Sequence, residues 1–411
     1  MSQRAGVWWP WLVAVGGLGV LCVSNGLVIS GITAFDESLL AEFNWQRGEL
    51  KLRDLITLVG TGLAAPFAGA LVDRYGPRPL LLAGSLLLAA GYLAYAQVQA
   101  LWQVYLIHAG FALALVCCGV NVAVIMVSRW FHARRGLALG IVVVGTSVGG
   151  MLLTPFSSDL IAAHGWRGAF RLAALTPLAL WPIAAWLARA PAETGRTPLG
   201  APAVAKVEPA DPHWQRALAT PAFWTLAAIA GLCFYAMLGV IASLRLHLID
   251  LGATPQQASA GFAWLMSMAL TGKVLFGLVA DHLPGPRALL LNLSVMLAGC
   301  ALLARMDAAG TALATTLLGL GWGGLFTLIQ LRAVDQFGLA HAGKLMGVIT
   351  LVDASLGGLG AWATNALHAG ADGGYSFAYR LIAALVAAAW LLSATAARSA
   401  RPAARPGRGS G

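Results

Sequence analysis

The sequence predicts an all-α membrane protein in which twelve transmembrane helices form two six-helix, pseudo-symmetric halves. Three observations support this fold class. Hydrophobic residues make up 59% of the chain and charged residues only 10%, whereas soluble proteins carry about 25% charged residues. The apolar residues fall in long runs separated by short polar turns. One charged turn, at residues 69–78, recurs in degraded form at residues 277–287, an offset of 277 − 69 = 208 residues, and such a spaced repeat indicates duplication.

Each apolar run that is long enough to cross the hydrocarbon core of a bilayer predicts one span. Numbered in chain order, spans 1 to 12 are predicted at residues 8–33, 49–72, 79–98, 102–128, 136–162, 168–188, 221–249, 256–280, 287–305, 310–331, 344–368 and 377–397. The run that begins at Trp8 is too long for a signal peptide. These spans use most of the chain, which excludes a large soluble domain.

The predicted domains follow from changes in composition. They are an N-terminal half at residues 1–189, a linker at 190–220, a C-terminal half at 221–397 and a tail at 398–411. The linker is rich in Pro and Ala and mixes both signs of charge. The tail carries Arg, Pro and Gly without apolar periodicity, so we expect it to be disordered near anionic lipid head groups.

The distribution of basic residues predicts the orientation. Seventeen of the 26 Lys and Arg residues lie at the termini and in the even-numbered gaps, and eight lie in the odd-numbered gaps. The positive-inside rule therefore predicts cytoplasmic termini, in what we expect to be a bacterial inner membrane. The net charge of +10 does not indicate nucleic-acid binding, because the arginines lie in short gaps rather than on one polar face.

The turn between spans 2 and 3 has the pattern Gly-x-x-x-Asp-Arg-x-Gly-x-Arg. Together with the twelve spans, the repeat and the central loop, it resembles the major facilitator superfamily over almost the whole chain. Segments at residues 43–45, 66–78, 129–140, 165–167 and 272–277 are similar to the monocarboxylate and oxalate/formate transporter group. The resemblance implies the major facilitator fold, alternating access and a monomer.

The repeated turn is also expected to act as a gate. Asp73, at the cytoplasmic end of span 2, can pair with an Arg or cap a helix N-terminus and so latch the two halves. The alternative is a charged turn that only ends helices. The predicted gating residues are Gly69, Asp73, Arg74, Gly76, Arg78, Asp281 and Arg287.

Two ionisable residues lie deep in predicted spans, where each costs about 2.5–3.5 kcal/mol on insertion scales. Lys273 lies roughly 12 Å from the cytoplasmic end of span 8, and Asp353 lies roughly 15 Å into span 11, at 1.5 Å per residue. We expect Lys273 to receive an anionic substrate and Asp353 to exchange a proton or to release Lys273. The alternative is a permanent ion pair that only joins two helices. Monocarboxylate transporters carry an Asp four residues before the span 8 cation, where this chain has Ala269.

The resemblance also implies which spans line the substrate path. On those spans the candidate substrate-binding residues, besides Lys273, are Asn25, Ser30, Asn121, Thr146, Tyr235 and Trp322. Each of these residue types also packs helices together, so both roles stay open. We expect His108 and His247 to lie at the outer membrane interface. Lys51, Arg53 and Asp54 are expected to form a solvated rim of the outer mouth, with attraction of anions as the alternative.

The predicted function is secondary active transport of small organic anions such as lactate or pyruvate, by proton symport or anion exchange. No cofactor or ATP site is expected, because the sequence lacks the Gly-x-x-x-x-Gly-Lys-[Ser/Thr] motif. The sequence offers no metal-ligand set, and Ser147, in a Gly-x-Ser-x-Gly stretch, lies inside a span with no strand before it, so we do not expect an enzyme. The alternatives are proton-coupled efflux of amphipathic compounds and a non-transporting receptor. Efflux is disfavoured because Thr146 replaces the proline of a Gly-Pro-x-x-Gly-Gly antiporter signature.

Overall fold

The computed structural model describes residues 4–131, 134–189, 191–200, 215–305, 308–337, 339–369 and 374–399, and its regular elements are helices. Spans 1 to 4 correspond to Arg4–Asn25 with irregular turns to residue 35, Arg47–Tyr75, Pro77–Tyr95, and the pair Leu101–Cys118 and Val120–Ser128. A short helix, Asp36–Phe43, follows span 1. Spans 5 and 6 share the helix Arg135–Ala173, which is broken at Gly165, and span 6 continues through Thr176–Ala179, Leu180–Pro182 and Ile183–Leu187.

The C-terminal half has longer and more regular helices. Spans 7 to 12 correspond to Pro221–Asp250, Pro255–His282, Gly285–Leu303, Ala308–Phe337, Leu339–Ala366 and Ser376–Ser399. Short helical turns lie outside the spans, at Pro191–Thr194, Gln215–Leu218 and Leu367–Ala369. Within the described residues, nine helical stretches are long and apolar enough to cross a membrane. The helices of spans 2 and 11 and the broken helix of span 6 complete the predicted twelve.

Local sequence explains where several helices begin and end. Spans 7 and 8 begin with Pro221 and Pro255, and proline suits the first helical position because no intrahelical partner is needed there for its missing N–H. The threonine before each proline accepts a hydrogen bond from the backbone of the first turn. Gly165 separates spans 5 and 6 with φ at 66°, a conformation that favours glycine.

Two hydrophobic cores form, one in each half. The first draws its buried residues from Val13 to Ala188, and the second from Phe223 to Ala389. The halves meet where span 2 packs on span 11 and span 5 packs on span 8. At the first of these contacts a Cβ added to Gly62 would lie 3.1 Å from the Cβ of Ala354. Small residues at such crossings allow two helices to approach closely.

Parts of the predicted domain division lie outside the described residues. These are residues 190 and 201–214 of the linker predicted at 190–220, and residues 400–411 of the tail predicted at 398–411. The linker and the disordered tail therefore stay predictions.

Candidate functional site

Lys273 of span 8 contacts the opposite half of the molecule. Its ammonium group donates hydrogen bonds to the backbone oxygen of Val143 at 3.0 Å and to the hydroxyls of Thr146 and Ser147 at 3.1 and 2.9 Å. These three residues lie on span 5 at positions i, i+3 and i+4, which form one face of a helix. All three donors of the ammonium are therefore satisfied by neutral oxygens. Among the residues that the structure describes, no carboxylate forms an ion pair with Lys273.

Close packing of spans 8 and 10 fixes the backbone of Lys273. A Cβ added to Gly323 of span 10 would lie 2.7 Å from the backbone nitrogen of Lys273. One added to Gly272 would meet the backbone of Leu320. Substitution at either glycine would push the two helices apart, so these glycines position the ammonium.

Two aromatic residues of span 10, Trp322 and Phe326, form what we call the aromatic wall of the site. Lys273 Nζ lies 5.8 Å from the centroid of the Phe326 ring, within the range of a cation–π interaction. Trp322 lies one helical turn earlier on the same span, and its ring contacts Phe234 of span 7 edge-on at 4.7 Å. The site thus combines one cation, two hydroxyls and aromatic surface. This combination can bind a small organic anion with an apolar part.

The other predicted substrate-binding residues lie at varying distances from this centre. Ser30 is buried against span 5, where a Cβ on Gly150 would lie 3.0 Å from its Oγ. Tyr235 is buried, and its backbone packs on Gly360. Asn25 donates to Ser24 Oγ at 3.4 Å, and Asn121 is exposed. Thr146 is therefore the predicted residue that contacts Lys273 directly.

Asp353 lies apart from Lys273. Its side chain is buried, and Oδ1 has no hydrogen-bond partner. The neighbouring Val352 packs towards Gly231 of span 7, and Ala354 packs towards Gly62 of span 2. At the level of this carboxyl group, span 11 is thus held between span 7 of its own half and span 2 of the other half. The permanent Lys273–Asp353 ion pair, considered as an alternative above, is not formed.

A second group of charges lies in the N-terminal half, and here the sequence-based expectation was wrong. Lys51 and Arg53 were expected on a solvated rim, but both side chains are fully buried. Lys51 pairs with Asp36 at 2.5 Å and with Asp54 at 3.3 Å, and Arg53 pairs with the same two acids. We call these four residues the span 2 charge cluster. Its two cations and two anions balance, which lowers the high cost of burying them.

The cluster continues into a buried hydrogen-bond network. Arg53 donates to the hydroxyl of Tyr95 on span 3 at 3.4 Å, and this hydroxyl lies 2.7 Å from His108 Nε2 on span 4. His108 Nδ1 in turn lies 2.7 Å from Thr57 Oγ1 of span 2. His108 is fully buried within the protein, and its place near the outer membrane interface stays a prediction. A signal was present in the sequence, because the charges of residues 36, 51, 53 and 54 sum to zero.

Several polar contacts join the halves at the predicted outer end, and we call them the outer junction. Arg47 donates to both carboxylate oxygens of Asp250, at 2.5 and 2.6 Å, and to the hydroxyl of Tyr375 at 3.2 Å. Arg245 of span 7 donates to the backbone oxygen of Thr33 at 2.6 Å. His247 is buried between tyrosine rings at this junction, and its place near the outer membrane interface stays a prediction.

The predicted gating turn is described only in part. Gly76 ends span 2 with φ at 76°, which favours glycine. Arg74 lies over the ring of Tyr75 at 5.2 Å, and Arg78 and Arg287 are exposed. The surroundings of Gly69 and the side chains of Asp73 and Asp281 lie outside the described residues. The proposed latch therefore stays a prediction.

Comparison with known proteins places these features in a family. A family model described as Major Facilitator Superfamily matches residues 7–361. Monocarboxylate transporter 13 of Rattus norvegicus is 28% identical over 363 residues, which cover 85% of this chain and 80% of that protein. Monocarboxylate transporter 11 of Homo sapiens is 32% identical over 182 residues, which cover 44% of this chain and 38% of that protein.

Solved structures share the fold. The crystal structure of a D-xylose-proton symporter has a TM-score of 0.72 and 16% sequence identity, and the match covers 94% of this chain and 97% of that one. At this identity the likeness concerns the architecture of the two halves alone.

Proposed function

We propose, from the premise that this chain belongs to the major facilitator superfamily of membrane transporters, that it carries small monocarboxylates by alternating access. The relatives named as monocarboxylate transporters support this substrate class. The chain would work as a monomer in a bacterial inner membrane with both termini cytoplasmic, the orientation predicted by its basic residues.

One observation carries the proposal. The Lys273 ammonium lies at the boundary of the halves and is hydrogen-bonded there by three neutral oxygens of span 5. A substrate carboxylate would offer the same ammonium an acceptor of opposite charge, and the Coulomb attraction between the two charges exceeds the attraction to a neutral oxygen. Binding would therefore exchange contacts within the protein for contacts with substrate. Since those contacts join the two halves, their exchange would link substrate binding to movement of one half against the other.

The aromatic wall and the neighbouring hydroxyls would set specificity. Phe326 offers apolar surface beside Lys273, Trp322 lies one helical turn away against Phe234, and Thr146 and Ser147 offer hydroxyls. Ser30, Tyr235, Asn25 and Asn121 are proposed to line the path at other depths, and the turn residues from Gly69 to Arg78 to gate it. A short carboxylate with an apolar or hydroxylated second carbon matches this combination.

Asp353 is the proposed proton-coupling residue. A carboxylate without a partner at this depth costs several kcal/mol, roughly the penalty of any unpaired buried ion. Binding a proton removes that cost, and releasing it when water enters restores the charge. The unpartnered Oδ1 of Asp353 supports this role. Proton symport would then follow if this carboxyl group binds a proton when the site is open to one side of the membrane and releases it when the site is open to the other side.

Uptake of labelled lactate, pyruvate, formate and oxalate into proteoliposomes, with and without an inward pH gradient, tests the proposal. We expect uptake of a monocarboxylate that rises with the gradient, and its loss in Lys273→Gln. Arg380→Gln, which removes an exposed cation of span 12, is the matched control and should transport normally. Preserved uptake in Lys273→Gln, or no uptake of any of the four anions by the wild type, would contradict the proposal. Net export of amphipathic compounds would instead support the efflux alternative.

A further inference from the structure

The two acids of the span 2 charge cluster are held differently. Asp36 lies 2.5 Å from Lys51 and closer still to Arg53, and its side chain is only 1% exposed. Asp54 lies at 3.3 Å from Lys51 and 3.4 Å from Arg53, with 12% of its side chain exposed. Asp36 is therefore the tightly held counter-ion, and Asp54 is the more loosely held one.

Asp54 also faces the path between the halves. It lines a cavity of about 20 Å³, with Val28, Ile29, Thr57 and Leu58 on the N-terminal side and Leu238, Ile241, Ala242 and Ala361 on the C-terminal side. A cavity of this volume has room for about one water molecule. Asp54 is the charged member of this lining. Any separation of the halves would widen the space in front of its carboxylate.

We propose that Asp54 is a proton-binding site whose protonation frees Lys51 and Arg53 to bind the carboxylate of the transported anion. This inference rests on the proposed function and adds a second anion site to it, in the N-terminal half. With Asp54 ionised, the cluster is neutral and needs no ligand. With Asp54 protonated, it carries one buried excess positive charge, which a bound monoanion would neutralise. One proton and one anion then bind together, and the net charge of the cluster is unchanged.

Few charged or titratable groups lie near Asp54. Lys51 and Arg53 contact it directly, Asp36 shares both cations with it, and Tyr95 and His108 lie beyond Arg53 and Thr57 in the network. The residues of spans 7 and 11 that line the cavity are apolar. The nearest charged residues of those two spans along the chain, Arg245 and Asp353, are not part of the lining. The Asp54 carboxylate thus lies between two cations and the apolar residues that line the cavity.

The test is the dependence of KM on pH, measured for lactate with the same pH on both sides of the proteoliposome. In the wild type, KM should rise as the pH is raised from about 5 to about 8, by at most about tenfold per pH unit for one linked proton. Asp54→Asn, which cannot ionise at this position, should have a lower KM that rises less steeply over this range, because the proton of Asp353 alone then responds to pH. In detergent at high pH, lactate should protect Asp54→Asn against thermal unfolding more strongly than it protects the wild type.

Two further variants complete the experiment. Asp54→Glu keeps the acid and should keep the rise of KM with pH. Asp159→Asn removes an exposed carboxyl group at the predicted outer end of span 5 and should behave like the wild type. A rise of KM in Asp54→Asn that matches the wild type would overturn the inference, as would a rise in Asp54→Glu no steeper than that in Asp54→Asn. Absence of lactate, pyruvate, formate and oxalate transport by the wild type would instead remove the proposed function itself.

Discussion

The two halves of this molecule bury their charges in different ways. In the N-terminal half, the four members of the span 2 charge cluster pair with one another and sum to zero. In the C-terminal half, Lys273 is satisfied by neutral oxygens of the opposite half, and Asp353 has an oxygen without a partner. Balanced charges can hold helices together without a ligand, whereas unbalanced ones need a ligand or a proton. This difference indicates a scaffold in the first half and a binding centre in the second.

The exception to this division is Asp54. It belongs to the balanced cluster but lies on the cavity between the halves. A proton on Asp54 would convert part of the scaffold into a second binding centre. The comparison therefore yields distinct expectations for substitutions in the two halves.

Arg53→Met should have the largest effect on stability. It leaves Asp36 and Asp54 with Lys51 as their remaining cation and removes a hydrogen bond to Tyr95. Breaking a buried pair in this way costs about 3–5 kcal/mol, because a buried charge is left uncompensated. We expect a lower melting temperature in detergent and little monodisperse protein. Arg78→Met, at an exposed position, is the control, and equal melting of the two variants would show that the cluster is not a scaffold.

Asp353→Leu should have a smaller effect of opposite sign. It replaces an unsatisfied buried carboxyl group with an apolar side chain of similar size. Removing such an unsatisfied group should raise the free energy of unfolding by about 1–3 kcal/mol. We expect a higher melting temperature together with loss of the response of uptake to a pH gradient. A lower melting temperature would show that Asp353 is paired in the membrane. The two halves would then both bury their charges in pairs.

The sequence predicted the fold well because hydropathy and the repeated turn are local features. It also identified Lys273 as a lone charge within a span. It paired none of the observed hydrogen-bond partners with Lys273, because these hydrogen bonds join residues 126 to 130 positions apart, across the two halves. Thr146 was named as a path residue, but nothing in the sequence paired it with the lysine.

The burial of Lys51 and Arg53 was mispredicted for a related reason. Span 1 was expected to end at residue 33, which left Asp36 in a loop. In the structure the chain continues in helical turns through residue 43, and Asp36 meets the start of span 2. Whether a charged helix start faces water depends on this tertiary contact, and hydropathy does not report it.

Arg47→Ala tests a third arrangement, an ion pair whose two members lie in different halves of the molecule. Arg47 and Asp250 are 20% and 34% exposed, so their ion pair should contribute at most about 1 kcal/mol. Its loss should favour opening of the outer junction by up to about fivefold. The measurement is thiol labelling from outside at Thr33→Cys, a buried position that contacts Arg245, in a background without the native cysteines. We expect faster labelling.

The matched control is Arg167→Ala. Arg167 pairs with Glu42 at 2.5 Å, both side chains are 39% exposed, and both belong to the N-terminal half. The substitution removes an ion pair of similar geometry and a comparable contribution to stability. It breaks no contact between the halves, so the labelling rate should stay at the wild-type value. If Arg47→Ala and Arg167→Ala accelerate labelling equally, general loosening of the outer surface is the cause. If only Arg47→Ala does so, the charge pair resists separation of the halves because its members are divided between them.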